Sequence, residues 1–420
     1  MSRTRWIRQI AVAVAAVALA AATLVSAIGC GGSDQPAAGT GAATGASATG
    51  TPIKVSVIGL VNTPVVSWPG IFAGAKAAAL AINQSGGIGL DHHPVEVVTC
   101  DYELDANKAN VCARDAVSAG VVADIGSADI FTPATTPIFR SAGIPRLPTP
   151  LNPADSTMLG EYPLVSGGNG LLLGTGPVLA DLGIHKVAWV EPSPNVPTNV
   201  ELFKKGLSGA GVSLVGRVPL PGGVSDYAPY AKQVQDLVDQ GAEAVVSNVS
   251  LPFFQLVKTF KQLGGDTKWV QLSQVDGAQI KAAGSVAEGM FSIGYLPPAS
   301  ADIPAVQRWV KEMAAVGKTG EKGASQLNAE GFNAWLGVYA LKQLLADTKG
   351  PITGKTVDGL IQNGRHIDVQ GFIDWSPAEK GPAGFTQLTN GDVWLKKVVD
   401  GEEVLAKRDP VDVFKSLGLG

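Results

Sequence analysis

Four groups of residues could carry chemistry. Gly350-Pro351-Ile352-Thr353-Gly354-Lys355-Thr356 has the glycines, lysine and threonine of a phosphate-binding loop. Such a loop must run from a buried strand into a helix, so that its amides point at phosphate. Here the glycines stand one residue too close, and the segment follows a helical pattern over 333–346. It reads as a helix-entry turn. His92-His93, beside Asp91, offers metal ligands, but neighbours on an extended turn point apart and no other His or Cys is close in sequence, so it reads as a surface turn. His185 and His366 stand alone. No HExxH, CxxC or GxSxG pattern occurs, so neither a metal, a cofactor nor a nucleophile is indicated. The third group is Gly126-Ser127-Ala128-Asp129, leading into Phe131-Thr132-Pro133-Ala134. It runs from a strand end to a helix start. Thr132 can cap that helix and Pro133 suits its first turn. Free backbone N–H groups at such a start can hold a bound acceptor, although the same residues make an ordinary cap. The fourth group is the cysteines Cys30, Cys100 and Cys112.

The elements that must position these groups alternate. Apolar strands are expected at 54–60, 95–100, 121–126 and 144–149, with helices at 70–83, 106–119 and 133–142 between them. A second series has strands at 186–191, 213–220, 244–249 and 269–273, separated by helices at 197–208, 227–240 and 253–263. Short apolar strands alternating with helices imply an α/β fold with parallel sheets covered on both faces. Two such series make two Rossmann-like lobes. Ligands of open α/β sheets sit beyond the carboxyl ends of the strands, so two facing lobes place the site in the cleft between them. The segment from Pro52 onward is also too long for one core.

The amino terminus sets the compartment. Arg3, Arg5 and Arg8 precede an apolar run over 10–25, which ends at Ser26-Ala27-Ile28-Gly29-Cys30. The run is short for a membrane span and fits a secretory signal. Small residues directly before a cysteine resemble the lipobox of bacterial lipoproteins, which implies that Cys30 is acylated and becomes the mature N-terminus. An ordinary signal peptide or a single spanning helix is the alternative. Residues 31–51 contain only Gly, Ala, Ser, Thr, Pro, Asp and Gln and read as a flexible tether. Removing 1–29 takes three of the 32 basic residues and none of the 36 acidic ones, leaving a net charge near −7. That argues against nucleic acid as a partner. In an oxidising compartment Cys100 and Cys112 are expected to pair. Two buried thiols are the alternative.

The stretch Ile82-Asn83-Gln84-Ser85-Gly86-Gly87-Ile88-Gly89, followed by Pro94-Val95-Glu96-Val97-Val98 and by Asp101, Asp105, Ala106, Lys108 and Ala109, carries a resemblance. With Val122-Ala123-Asp124-Ile125-Gly126, Ala142-Gly143-Ile144-Pro145 and Ala287-Glu288-Gly289-Met290, it is similar to the type I periplasmic binding proteins, and within them to the branched-chain amino acid (Leu/Ile/Val) branch of ABC-transporter substrate-binding proteins. The resemblance implies two lobes joined by a three-strand hinge, with crossings near 163–168, 294–298 and 369–375. The expected division is a signal peptide over 1–29, a tether over 30–51, an N-terminal lobe of 52–165 with 298–371, and a C-terminal lobe of 166–297 with 372–413. It further implies a monomeric, non-catalytic, lipid-anchored extracytoplasmic protein that delivers an amino acid, amide or small organic acid to an ABC importer permease. A sensor of the same fold and an extracellular α/β enzyme are the alternatives.

Pocket positions carried over by the resemblance are Trp68 and Phe332 as apolar walls, Ser127, Asp129, Thr149 and Asn152 from the first lobe, and Asn248, Ser250, Gln274 and Asp276 from the second, with Val275 aligning as well as Asp276. The chain departs from the pattern where relatives grip the amino-acid head group. Leu151 stands for a threonine, and Pro150 has no amide hydrogen. A plain amino acid is therefore not the expected ligand.

Overall fold

Every residue of β1 (Ile53–Gly59) except Lys54 is buried, as a strand covered on both faces requires. The computed structural model describes residues 47–63, 67–195, 197–249, 253–272 and 277–419. After β1 come α1 (Gly70–Gln84), β2 (Val95–Asp101), α2 (Ala106–Ser118), β3 (Ala123–Ile125), α3 (Thr132–Ser141) and β4 (Arg146–Leu147). The four strands are parallel, in the order β2-β1-β3-β4.

A second series follows: α4 (Gly167–Asp181), β5 (Lys186–Ser193), α5 (Pro197–Gly209), β6 (Ser213–Pro221), α6 (Ala228–Asp239), β7 (Ala244–Ser247), α7 (Phe253–Gln262), β8 (Lys268–Leu272), α8 (Gly277–Ala283) and β9 (Phe291–Gly294). The chain then forms α9 (Pro304–Gly317), α10 (Ala329–Leu344), α11 (Gly354–Gln362), the hairpin of β10 (Ile367–Val369) and β11 (Ile373–Trp375), and finally β12 (Asp392–Val399), β13 (Glu402–Leu405), β14 (Val411–Asp412) and α12 (Val413–Ser416). In the larger sheet β6-β5-β7-β8-β9 are parallel. β12 then joins antiparallel to β9, with β13 and β14 antiparallel to β12. The fold is thus the α/β class expected, with an antiparallel edge added to the second sheet.

One apolar cluster runs continuously from the small sheet, with α1, α9 and α10, to the face of the large sheet under α4 and α5. Separate clusters fill the outer face of the large sheet, under α6 and α7, and that of the small sheet, under α2 and α3.

Several details differ from the sequence reading or sharpen it. The segment 369–375, expected as a crossing, is the turn and second strand of a hairpin whose first strand packs on α10. Gln370 and Gly371 both have positive φ, in the three-residue loop 370–372 that joins Val369 to its partner Ile373. Helix α10 begins four residues earlier than its apolar period suggests. Asn328 caps it, accepting from Gly331 N at 2.9 Å. The end of the expected tether is docked: Ala48 N donates to Asn83 O, and Thr49 N and Gly50 N both donate to His92 O. Cys100 and Cys112 are joined by a disulfide, a closure worth about 3 kcal/mol on the chain-entropy model. The loop at 350–356 is a helix entry, with Thr353 capping α11. His92 and His93 turn to different carbonyls, those of Gly86 and Thr51. Among the described residues no helix is long and apolar enough to cross a membrane.

Candidate functional site

The carboxyl edge of the small sheet is built by three loops, and the start of α10 collects all three. Gly70, two residues after Trp68, lies so close that a Cβ on Gly331 would sit 2.6 Å from its carbonyl oxygen. Gly126, directly after β3, has φ +61°, and a Cβ there would fall 2.4 Å from Ala334 Cα. Only glycine suits such an approach in the left-handed region. Thr149, after β4, accepts from Asn333 Nδ2 at 2.8 Å. From the other sheet comes Tyr295, the residue after β9, whose hydroxyl donates to Glu330 Oε1 at 3.0 Å. Burial raises the pKa of both Glu330 and Tyr295. The fully buried Lys396 of β12 offsets part of this at Glu330. Lys396 is itself bonded to Glu403 at 2.8 Å.

Trp68, Ser127, Thr149 and Phe332 of the expected set are therefore on segments that meet at one place. Trp68 is half-buried and available at the edge. Phe332 is not a wall. It is 1% exposed, stacked on Trp309 at 4.8 Å and flanked by Trp335 and Phe372. Ser127 and Asp129 were expected to point at a ligand, but both side chains are fully buried and used internally. Ser127 Oγ donates to Asp124 at 2.7 Å and accepts from Ile58 N at 2.8 Å. Asp129 accepts from Phe131 N at 2.8 Å and from the Thr135 hydroxyl, and it pairs with Arg146. Thr132, read as a helix cap, instead sits inside α3 and donates to Asp155.

The reason is Arg146, a fully buried cation invisible in the apolar strand pattern. Its guanidinium meets Asp124 at 2.8 Å, Asp129 at 3.4 Å and Glu161 at 3.5 Å, and lies 5.0 Å from the Phe139 ring centroid. A buried charge must be paired, so the neighbouring polar side chains turn inward. Three acids around one base leave an excess of negative charge. Burial, then the nearby Asp155, pushes the Glu161 carboxyl up to about 8. Burial likewise pushes Asp155 and, elsewhere, Asp392 up to about 6. A pKa raised in the folded state adds stability below the unfolded value near 4.5 that is lost as pH rises through 8. We expect urea unfolding to show the protein more stable at pH 5 than at pH 8.5, by a few kcal/mol, since a tenfold change in proton affinity is worth ~1.4 kcal/mol. Glu161→Gln should remove most of that slope. Equal or greater wild-type stability at pH 8.5 would contradict the assignment.

Asn152 caps a 3₁₀ turn (Pro153–Ser156), and its carbonyl accepts from Asn169 of α4 at 3.1 Å. This loop has no amide to spare. Thr149 N donates to Ser127 O, Leu151 N and Asn152 N both donate to Asp155 Oδ2 at 2.9 Å, and Pro150 has none. At the large-sheet edge, Asn248 is half-buried and accepts from Trp189 Nε1 at 3.1 Å. Glu191, at the end of β5, is paired with Arg217 and accepts from Asn195. Ser250, Gln274 and Asp276 lie outside the described residues, as does Cys30. A cavity of about 390 Å³ lined by Arg140, Tyr162, Asp358 and Lys380 lies away from these strand ends. Sequence reasoning missed Tyr295, Glu330, Asn333 and Lys396. The first-turn pair Asn328 and Glu330 was a readable helix start, hidden by the helix-weakening Gly331.

A family model described as "Periplasmic binding protein" matches residues 52–393. No curated protein matches the chain. Among solved structures, a solute-binding protein from Rhodopseudomonas palustris HaA2 in complex with p-hydroxybenzoic acid is similar, with TM-score 0.69 and 19% identity over 88% of this chain and 99% of that one. Another solute-binding protein from R. palustris, in complex with 4-hydroxybenzoate, has TM-score 0.68 and 19% identity over 86% and 97%. A leucine-binding protein from Thermotoga maritima has TM-score 0.64 and 17% identity over 84% and 98%.

Proposed function

The chain belongs to the periplasmic binding protein family, and on that premise we propose that it captures a small solute between two hinged lobes and hands it to an ABC importer. It is a binding protein and not an enzyme. The lobes would be 52–165 with 298–371, and 166–297 with 372–413, so that the tip of the β10–β11 hairpin marks one of the crossings. The ligand would meet Trp68 and the small-sheet loops on one side, and Asn248 with the segments holding Ser250, Gln274 and Asp276 on the other. The protein would act as a monomer outside the cytoplasm, where the Cys100–Cys112 disulfide is at home, and its mature charge makes nucleic acid an unsuitable partner. Acylation of Cys30 would hold it at the membrane. Cell fractionation tests this: wild type should sediment with membranes and Cys30→Ala should not, and a wild type free of lipid mass refutes the anchor.

The observation that carries the ligand reading is the spent loop at 149–152. A free amino acid presents two charged groups to this loop, whose amides are each occupied or absent, so a ligand with fewer charges loses less here. Leucine, isoleucine and valine are therefore not the preferred ligands. An amide or an aromatic or aliphatic acid, held by other groups, fits better. Similar structures include a leucine-binding protein and a solute-binding protein in complex with 4-hydroxybenzoate, so the fold itself favours neither. Calorimetric titration with the three branched amino acids and a panel of amides and acids is the test. We expect a panel member to bind more tightly than leucine. Trp68→Ala should weaken that binding at least tenfold, about 1.4 kcal/mol. Sub-micromolar leucine binding with nothing tighter would overturn the specificity reading.

A further inference from the structure

The start of α10 does more than gather the strand-edge loops, because groups associated with the large sheet reach it by two routes. Glu330 receives the hydroxyl of Tyr295, where the chain has just left β9. Phe332 lies 5.5 Å from Phe372 at the hairpin tip, and Phe372 in turn lies 6.0 Å from Trp394 of β12. Trp394 is the register partner of Gly294, next to Tyr295. Both routes thus meet α10 where the chain passes between the sheets. On the same helix face as Glu330, three residues on, Asn333 bonds Thr149 at the ligand edge. Tyr295, Glu330 and Asn333 are 5%, 8% and 1% exposed. Hydrogen bonds sealed from water leave a costly unpaired group when broken. They hold only for one placement of the segments that contribute them.

We infer that the first turn of α10 is a latch on the hinge. The Tyr295–Glu330 bond, backed by the Phe332–Phe372 contact, holds the lobe placement of this structure, and the Asn333–Thr149 bond ties that placement to the ligand edge. The inference rests on the hinged-lobe reading above. Tyr295, Glu330 and Phe332 are positioning residues that act through α10.

Single-molecule energy transfer on the full, ligand-free chain tests it, with dyes attached to azide-bearing residues replacing the exposed Arg114 on α2 and Lys258 on α7. Tyr295→Phe keeps the ring and removes one hydroxyl, and Phe372→Leu weakens the second bridge by another chemistry. Val234→Ala, in the core under α6 far from the pivot, controls for stability alone. We expect either latch variant to change the ratio of inter-lobe distances about tenfold, and Val234→Ala to lower the melting temperature without changing it. If wild type samples two distances and both latch variants keep its ratio, the latch is wrong while the hinge stands. The latch is equally wrong if all three variants shift alike. If wild type and every variant share one narrow distance, both the latch and the hinged-lobe reading fail.

Discussion

Arg146→Met should remove a large share of the protein's stability at pH 7.5. The substitution keeps apolar volume but leaves the buried carboxylates of Asp124 and Asp129 without a counter-charge, beside a Glu161 carboxyl that already holds its proton. Breaking a buried ion pair by removing one partner costs about 3–5 kcal/mol, a large share of the ~5–15 kcal/mol that holds a typical protein together. The loss reaches further than one contact, because Ser127 shares Asp124 with the arginine and Thr135 shares Asp129. Lowering the pH to 5 should restore part of the stability, since the stranded carboxyls can then take up protons. Circular-dichroism melts at the two pH values read this directly. A melting temperature within a few degrees of wild type at pH 7.5 would show that the cluster is not buried as described.

Gly74→Ala should destabilise the protein although alanine is the better helix former. At an exposed helix position the change gains about 0.5–1 kcal/mol. At Gly74 the added Cβ would lie 1.9 Å from the carbonyl oxygen of Gly331, where α1 crosses α10. Backbone cannot swing aside as a side chain can, so the helices must part, at a cost of about 1–3 kcal/mol or more. Gly359 on α11 has open space where its Cβ would go. Gly359→Ala should therefore stabilise by the ordinary helix increment. Opposite signs for the same substitution are the expected result in urea melts. Two changes of the same sign would contradict the close crossing. Parting α1 from α10 would also displace Trp68, so Gly74→Ala should weaken ligand binding while Gly359→Ala should not.

The alternation of strands and helices was legible because buried parallel strands and their covering helices leave strong periodic patterns. The pairing of Cys100 with Cys112 was legible from compartment and proximity. The antiparallel edge was not, because β12 joins β9 across more than ninety residues of intervening chain, and nothing local in Asp392–Val399 records its neighbour. The site was only half legible. Trp68 and the loop of Gly126 were expected at the site by resemblance, but which way Ser127 and Asp129 point depends on Arg146, whose demand for counter-charge is a tertiary fact. Phe332 was expected as a pocket wall by resemblance, and its helix was expected to begin at Asn333. Once α10 starts at Ala329, Phe332 belongs to the core and Glu330 takes a place at the pivot.

Capture of a small solute in a cleft is tested most directly by native mass spectrometry of the protein purified intact from its producing cells. We expect a single non-covalent adduct of small-molecule mass. It should be lost on unfolding, regained one-to-one on refolding with the recovered compound, and weakened in Trp68→Ala. Protein that carries no adduct, and that binds none of the amino acids, amides or organic acids of the titration panel, would contradict solute capture.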